Sequence, residues 1–348
     1  MNARALLELE AGNRILLTDG AYGTAFQTLG LREEDYRGTL GLTRDQKGNH
    51  DLLALTRPDV VSDVTWSYLK AGTDIVSTNT FNANAISQAD YGCEHLVTAI
   101  NIAAASIARG LADRATAQDD RRRFVAGALG PTNKTLSLSP DVNDPGHRDI
   151  DFDRLRDVYR EQVDALLEGG VDFILIETIF DTLNAKAAIV AVEQAGQAAG
   201  REIPIMISMT ITDLSGRNLS GHTVEAFWYS VRHARPITVG LNCSFGAAQL
   251  DPHLQELAKI ADCLIMAYPN AGLPNALGCY DETPQETATQ VAGWAQQGLV
   301  NVLGGCCGST PAHIAAIRDA VATQPPRISP RFTPATRLAG LERMVLAR

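Results

Sequence analysis

Eight times along this chain a short β-branched or aliphatic run is followed by a longer segment of helical periodicity, with no break in composition between units. The strand candidates are 15–19, 74–78, 124–129, 173–177, 205–210, 238–243, 263–267 and 301–305. Helix candidates lie at 58–71, 94–112, 153–169, 183–198, 224–232, 252–260, 284–297 and 311–321. Pro58 stands at the first helical position of its segment, where a missing N–H costs nothing. Several strand candidates are apolar nearly throughout, as parallel strands covered on both faces must be. Eight such β/α units predict an α/β fold, a single TIM (β/α)8 barrel over residues 1–326. Residues 327–348, rich in proline and arginine, are read as a C-terminal tail or linker. Long loops at 20–57, 130–152 and 212–223 all follow strands, on the side of a barrel where chemistry is done.

The net charge of −10 argues against nucleic acid and anionic membrane surfaces as partners. No unbroken apolar run reaches the roughly 18 residues of a membrane span, and the first residues lack the apolar core of a secretory signal. Six cysteines are few for 348 residues, and Cys93, Cys263 and Cys279 show no framework spacing, which predicts a reduced, cytoplasmic setting.

Three of those cysteines end strands. Cys306 and Cys307 are adjacent in Leu303-Gly304-Gly305-Cys306-Cys307-Gly308, and Cys243 closes Gly240-Leu241-Asn242-Cys243. Neighbouring cysteines strain any disulfide between them. Thiolates converging from two strand ends suit zinc, and three protein ligands leave the fourth position open for chemistry. Strands six and eight lie two apart in a closed barrel, so both ends reach one mouth; an open doubly wound sheet explains this less well. The competing readings are a closed structural zinc with some other fourth ligand, or three reduced core thiols. Glu177 closes the apolar strand 173–177, and Asp19-Gly20-Ala21 forms a turn whose N–H groups can receive an anion. Asn270, at the tip of strand seven, is a candidate oxygen ligand or a turn residue.

Longer motifs narrow the reading. They are Asp19-Gly20-Ala21-Tyr22-Gly23-Thr24, Lys47-Gly48-Asn49-His50-Asp51-Leu52-Leu53, Thr78-Asn79-Thr80-Phe81-Asn82 and Gly130-Pro131-Thr132-Asn133. Further on come Ser139-Pro140-Asp141-Val142-Asn143-Asp144-Pro145, Ile176-Glu177-Thr178, Ser220-Gly221-His222-Thr223 and Pro269-Asn270-Ala271-Gly272-Leu273-Pro274-Asn275. With these the chain resembles, over almost its whole length, the homocysteine-binding zinc domain of cobalamin-dependent methionine synthase, within the homocysteine S-methyltransferases. The resemblance implies that zinc on Cys243, Cys306 and Cys307 binds the sulfur of L-homocysteine as a thiolate. That sulfur takes a methyl group from methylcobalamin, which leaves as cob(I)alamin. It also implies a corrinoid-binding protein or domain as partner, and a methyltetrahydrofolate-binding module beside it. Glu177 would take the homocysteine ammonium, the Asp19-Gly20-Ala21 turn its carboxylate, and Asn270 would hold the fourth zinc position until substrate arrives.

Two positions depart from the family pattern. Ala21 replaces a glycine, which costs on the order of 1 kcal/mol if φ is positive there. Ser77 stands where glutamate is common. Rival readings keep the zinc but change the donor to a betaine or S-methylmethionine, or make the chain a non-catalytic zinc scaffold. His50, His147 and His222 fall in mouth loops and read as hydrogen-bonding loop residues, since a zinc-bound thiol needs no separate base.

Overall fold

Period-two alternation in the strands sets the architecture of the computed structural model, which describes residues 2–346. Its eight parallel barrel strands are β1 Leu16–Leu17, β2 Ile75–Ser77, β3 Phe124–Leu129, β4 Phe173–Ile179, β5 Ile205–Met209, β6 Thr238–Asn242, β7 Leu264–Tyr268 and β8 Val302–Leu303. They hydrogen-bond in the order β1-β8-β7-β6-β5-β4-β3-β2. The seam between β1 and β2 is closed by a single parallel bridge, Thr18 to Ile75, and by Asp74 N–H on Leu17 C=O at 2.8 Å. The fold is the TIM barrel that the eight units predict.

Every residue of β3, β5 and β6 is buried, because each strand has side chains on both covered faces. One set points inward: Leu16, Ile75, Phe124, Ala126, Phe173, Leu175, Met206, Met266 and Val302 fill the barrel. The alternate set, including Val125, Ile174, Ile176, Val239 and Leu241, packs against the surrounding helices. Continuing the inward alternation of β4 past Phe173 and Leu175 puts Glu177 at the barrel mouth. A charged residue there is at a rim, not in a core.

The N-terminal helix Ala3–Asn13 was not evident from sequence pattern, and it plugs the barrel floor with Leu7 and Ala11. The sixth helix begins at Ala247, not at residue 252, so Pro252 lies inside it. Proline at a first helical position is a frequent start signal, but here Gly246 precedes the first turn and the helix absorbs the ring one turn later. The helix Val97–Asp119 has the length and apolar composition of a membrane span. Its buried residues Val97, Ile100, Ala104, Ala108, Ala112 and Ala115 recur every three or four positions and pack onto the barrel, the pattern of a core helix.

Residues 327–346 are ordered against the barrel. The buried Arg327 guanidinium donates to the carbonyls of Ala258, Ala261 and Cys263. The chain then forms an antiparallel hairpin, Thr336–Ala339 with Arg343–Leu346, against the helix Val224–Val231. Thr223 N–H donates to Leu341 C=O at 3.2 Å, and Arg217 pairs with Glu342, so the hairpin reaches the mouth loop after β5.

Candidate metal centre and substrate cavity

The ends of β6 and β8 carry the cysteines, and small residues let them meet. A Cβ on Gly304 would lie 2.2 Å from Thr18 Cγ2, and one on Gly305 would lie 2.4 Å from Ser309 Cβ. No side chain fits at either position. Beyond them Cys306 N–H donates to Pro269 C=O at 2.7 Å and Cys307 N–H to Asn270 Oδ1 at 3.1 Å. Ser309 Oγ closes the turn on Cys306 C=O at 2.6 Å. On the other strand Cys243 and Ser244 are left-handed, at φ 63° and 59°, which swings the Cys243 thiol towards the pair. Non-glycine residues in that region are strained and gather at functional sites.

The three Sγ atoms lie within 4.8 Å of one another, with Cys243 and Cys307 3.9 Å apart. Tetrahedral zinc with Zn–S bonds of about 2.3 Å needs sulfur–sulfur edges of about 3.8 Å. The donor set therefore fits a tetrahedral thiophilic cation. Electrostatics agree: the neighbouring Cys243 and Cys306 thiols hold Cys307 far below the usual thiol range. Contacts with the Cys243 and Cys307 thiols, together with burial, push Cys306 up. Without a cation, three packed thiols favour one shared thiolate; a dication is what allows all three to ionise. Tyr280, from the loop after β7, lies beside Cys307 and adds to the lowering of its pKa. Its Cβ occupies the space a side chain at Gly308 would need, only 2.2 Å from that position.

The cysteines form one wall of a mouth cavity of about 250 Å³. Glu177, Asp19, Gly20, Ala21 and Ser77 line it as well, so the strand-one turn and the strand-four carboxylate do converge on the thiols. Tyr268 Oη donates to Glu177 Oε2 at 3.2 Å. Burial, reinforced by the negative charges of Asp19 and Cys307, pushes the Glu177 carboxyl up to about 8. Asp19 is raised to about 6, again chiefly by burial. It accepts Ser77 N–H at 2.6 Å and Ser77 Oγ–H at 3.1 Å. The serine that departs from the family pattern thus anchors Asp19. Ala21 has φ −71°, an ordinary value, so the strain considered for alanine does not arise. Gly20 is required by space instead, since a Cβ there would sit 2.8 Å from Ser309 Oγ and from the Tyr68 ring.

Asn270 is buried, and its Oδ1 accepts the Cys307 N–H; it holds the cysteine turn and does not line the cavity. His50 lines the cavity and bonds Tyr36 Oη through Nδ1, whereas His147 pairs with Asp149 and His222 with Ser220, both away from it. Sequence reasoning missed Asp51, a buried carboxyl in the cavity wall that accepts Asn82 N–H at 3.0 Å and is raised by burial to about 7. It also missed Asn242, whose only sequence signal is its place beside Cys243. Among the described residues, no lysine or arginine lines the cavity. Three carboxyls and three thiols line it.

The fold matches crystal structures of the homocysteine methyltransferase MmuM from Escherichia coli. The oxidized form superposes with a TM-score of 0.70 at 22% identity, over 92% of this chain and 99% of that one. The metallated form gives a TM-score of 0.67 at 24% identity, over 91% and 98%. The apo form gives 0.62 at 22%, over 91% and 98%. A family model described as homocysteine S-methyltransferase matches residues 16–321, and the chain belongs to that family.

Proposed function

We propose that this protein methylates L-homocysteine to methionine, with zinc on Cys243, Cys306 and Cys307, taking the methyl group from methylcobalamin carried by a separate corrinoid domain or protein. The observation that carries this reading is one small cavity with three thiols on one wall and Glu177 and Asp19 on another. An amino acid ending in a thiol has complementary ends for both walls. When bound, zinc lowers the pKa of a thiol placed beside it from about 8.5, so the substrate sulfur is a thiolate at neutral pH. The residues of the chain do the rest. Three thiolates outweigh the dication, which keeps a fourth sulfur electron-rich and nucleophilic. Glu177, steadied by Tyr268, receives the ammonium, and Asp19 adds a second negative charge nearby. The Gly20-Ala21 turn offers N–H groups to the carboxylate. The sulfur lone pair then forms the new S–CH3 bond, while the old methyl bond breaks with its electron pair staying on the donor.

Cavity size supports a donor that comes from outside. Sites enclosing drug-sized ligands run to about 300–1,000 Å³, whereas this one measures about 250 Å³. It holds one small amino acid, and the methyl must be presented at the mouth. Exposed apolar side chains on the surrounding loops, Phe81, Leu214, Leu273 and Leu277 among them, suit a protein-borne corrinoid. A methyltetrahydrofolate-binding module would reload it. The test joins two measurements. Zinc-edge X-ray absorption should show sulfur ligands rising from three to four on adding homocysteine. Methionine should form with a methylcobalamin-loaded partner and not with a betaine or S-methylmethionine. A zinc spectrum indifferent to homocysteine would refute the site, and turnover with a small donor alone would refute the donor.

The Glu177 carboxyl supplies a further expected result. Its upward shift means that it is protonated near neutrality and must lose that proton to hold an ammonium. The substrate thiol loses one too, so below pH 8 the affinity should rise about a hundredfold per pH unit, tenfold for each proton released. In Glu177→Gln only the thiol proton remains, giving about tenfold per unit and weaker binding above pH 8, with zinc content unchanged. Calorimetric titration across pH 6 to 8.5 checks this; equal slopes in both proteins would remove Glu177 from the substrate site.

A further inference from the structure

Asn242 is the last residue of β6, fully buried, and faces inward at the rim of the barrel. Its Nδ2 donates to Thr178 Oγ1 at 2.9 Å and lies 3.9 Å from Cys306 Sγ. Its Oδ1 accepts Thr178 N–H at 3.2 Å and Ser208 Oγ–H at 2.6 Å. Two donors and one oxygen with two lone pairs are all an amide has, and every one is engaged. The partners are not arbitrary. Thr178 follows Glu177 and is left-handed at φ 56°, a conformation that a β-branched residue adopts only under constraint. Cys243 follows Asn242 and is left-handed as well, at φ 63°. One side chain thus grips the backbone and hydroxyl of the residue beside the carboxylate, touches one metal-site sulfur, and adjoins another.

We propose that Asn242 is a positioning residue that fixes the distance between the ammonium end and the sulfur end of the cavity, and so selects homocysteine over its one-methylene-shorter analogue cysteine. The inference rests on the reading of the cavity as a homocysteine site. Homocysteine must reach Glu177 and the metal at once, and only a fixed spacing between the two walls can distinguish chain lengths. Left-handed Thr178 and Cys243 set that spacing, and the Asn242 amide holds the first and carries the second on its own backbone.

The experiment measures homocysteine and cysteine affinity in zinc-loaded protein by calorimetry, with circular dichroism and zinc content as controls. Wild type should prefer homocysteine clearly; failure to bind it would overturn both this inference and the proposed function. Asn242→Asp keeps the acceptor oxygen but loses the donors, and should weaken homocysteine at least tenfold while the preference over cysteine falls by a similar factor. Thr178→Val removes the hydroxyl and keeps the β-branch, so it should lose several-fold of the preference, and Thr178→Ser should restore most of it. A merely structural asparagine would lower the melting temperature and leave the preference intact. Wild-type preference in Asn242→Asp overturns the proposal. So does a Thr178→Val protein indistinguishable from Thr178→Ser, and this pair decides alone if Asn242→Asp does not fold.

Discussion

Cys307→Ala is expected to release zinc and abolish methyl transfer while the barrel stays folded. Four-ligand zinc sites are worth about 10–16 kcal/mol, so removing one thiolate should cost roughly 3 kcal/mol, on the order of a hundredfold in affinity or more. The loss of function should be larger than the loss of affinity. The remaining thiols no longer outweigh the metal charge, and a second open position lets water or another ligand compete with the substrate sulfur. Cys243→Ala and Cys306→Ala should behave alike, since all three sulfurs lie in one cluster within 4.8 Å. Cys263 lies at the opposite end of the barrel, in a groove with Arg232 and Asp262, and Cys263→Ala should keep full zinc. Zinc content after dialysis against a chelator, with circular dichroism alongside, reads the result. Full zinc and full activity in any one of the three site variants would refute the metal assignment.

Asp74→Ala should be among the most destabilising single changes in the chain, at about 3 kcal/mol, because it removes a buried carboxylate that bonds a strand amide and two partly exposed arginines. The carboxylate is wholly buried at the β1–β2 seam. Its Oδ2 accepts Leu17 N–H at 2.9 Å and an Arg14 nitrogen at 2.9 Å, and Oδ1 accepts from Arg14 and from Arg121. The barrel is thinnest there. Between β1 and β2 the ladder amounts to one bridge, so this carboxylate substitutes for missing backbone pairing. Removing it leaves two arginines without their shared partner and an amide on β1 unsatisfied. A chemical denaturation midpoint reads the loss, and a shift worth less than about 1 kcal/mol would show that the helices alone hold the seam closed. Zinc bound at the far end of the barrel should be spared in the fraction that remains folded.

Much of the site could be read from the chain because its signals are local. Each β/α unit advertises its strand by a short apolar run, and eight in succession admit few architectures. Cysteine adjacency and the flanking glycines point to the thiol cluster, and the glycines prove necessary for want of space at Gly304 and Gly305. Glu177 is predictable from pleat alone, since Phe173 and Leu175 face the interior and the next alternate residue reaches the mouth. Asp19, Gly20 and Ala21 converge with it for the same reason, as the end of a parallel strand in the same barrel.

What sequence withheld depends on contacts between residues far apart in the chain. Asp74 lies within a strand candidate, and nothing near it says that Arg14 and Arg121 will meet there. Ser77 looked like a lost charge until the fold set its N–H and hydroxyl on Asp19, 58 residues away. Asn270 looked like a free oxygen, and its employment by Cys307 N–H appears only when strands seven and eight pair. Asn242 reaches Thr178 across 64 residues, and the left-handed turn it holds has no glycine to announce it. Periodicity and residue type report which face a side chain takes, because those are properties of a few neighbouring residues. The hydrogen-bond partners that hold a side chain in place are fixed by barrel closure, which brings eight distant segments to one mouth at once.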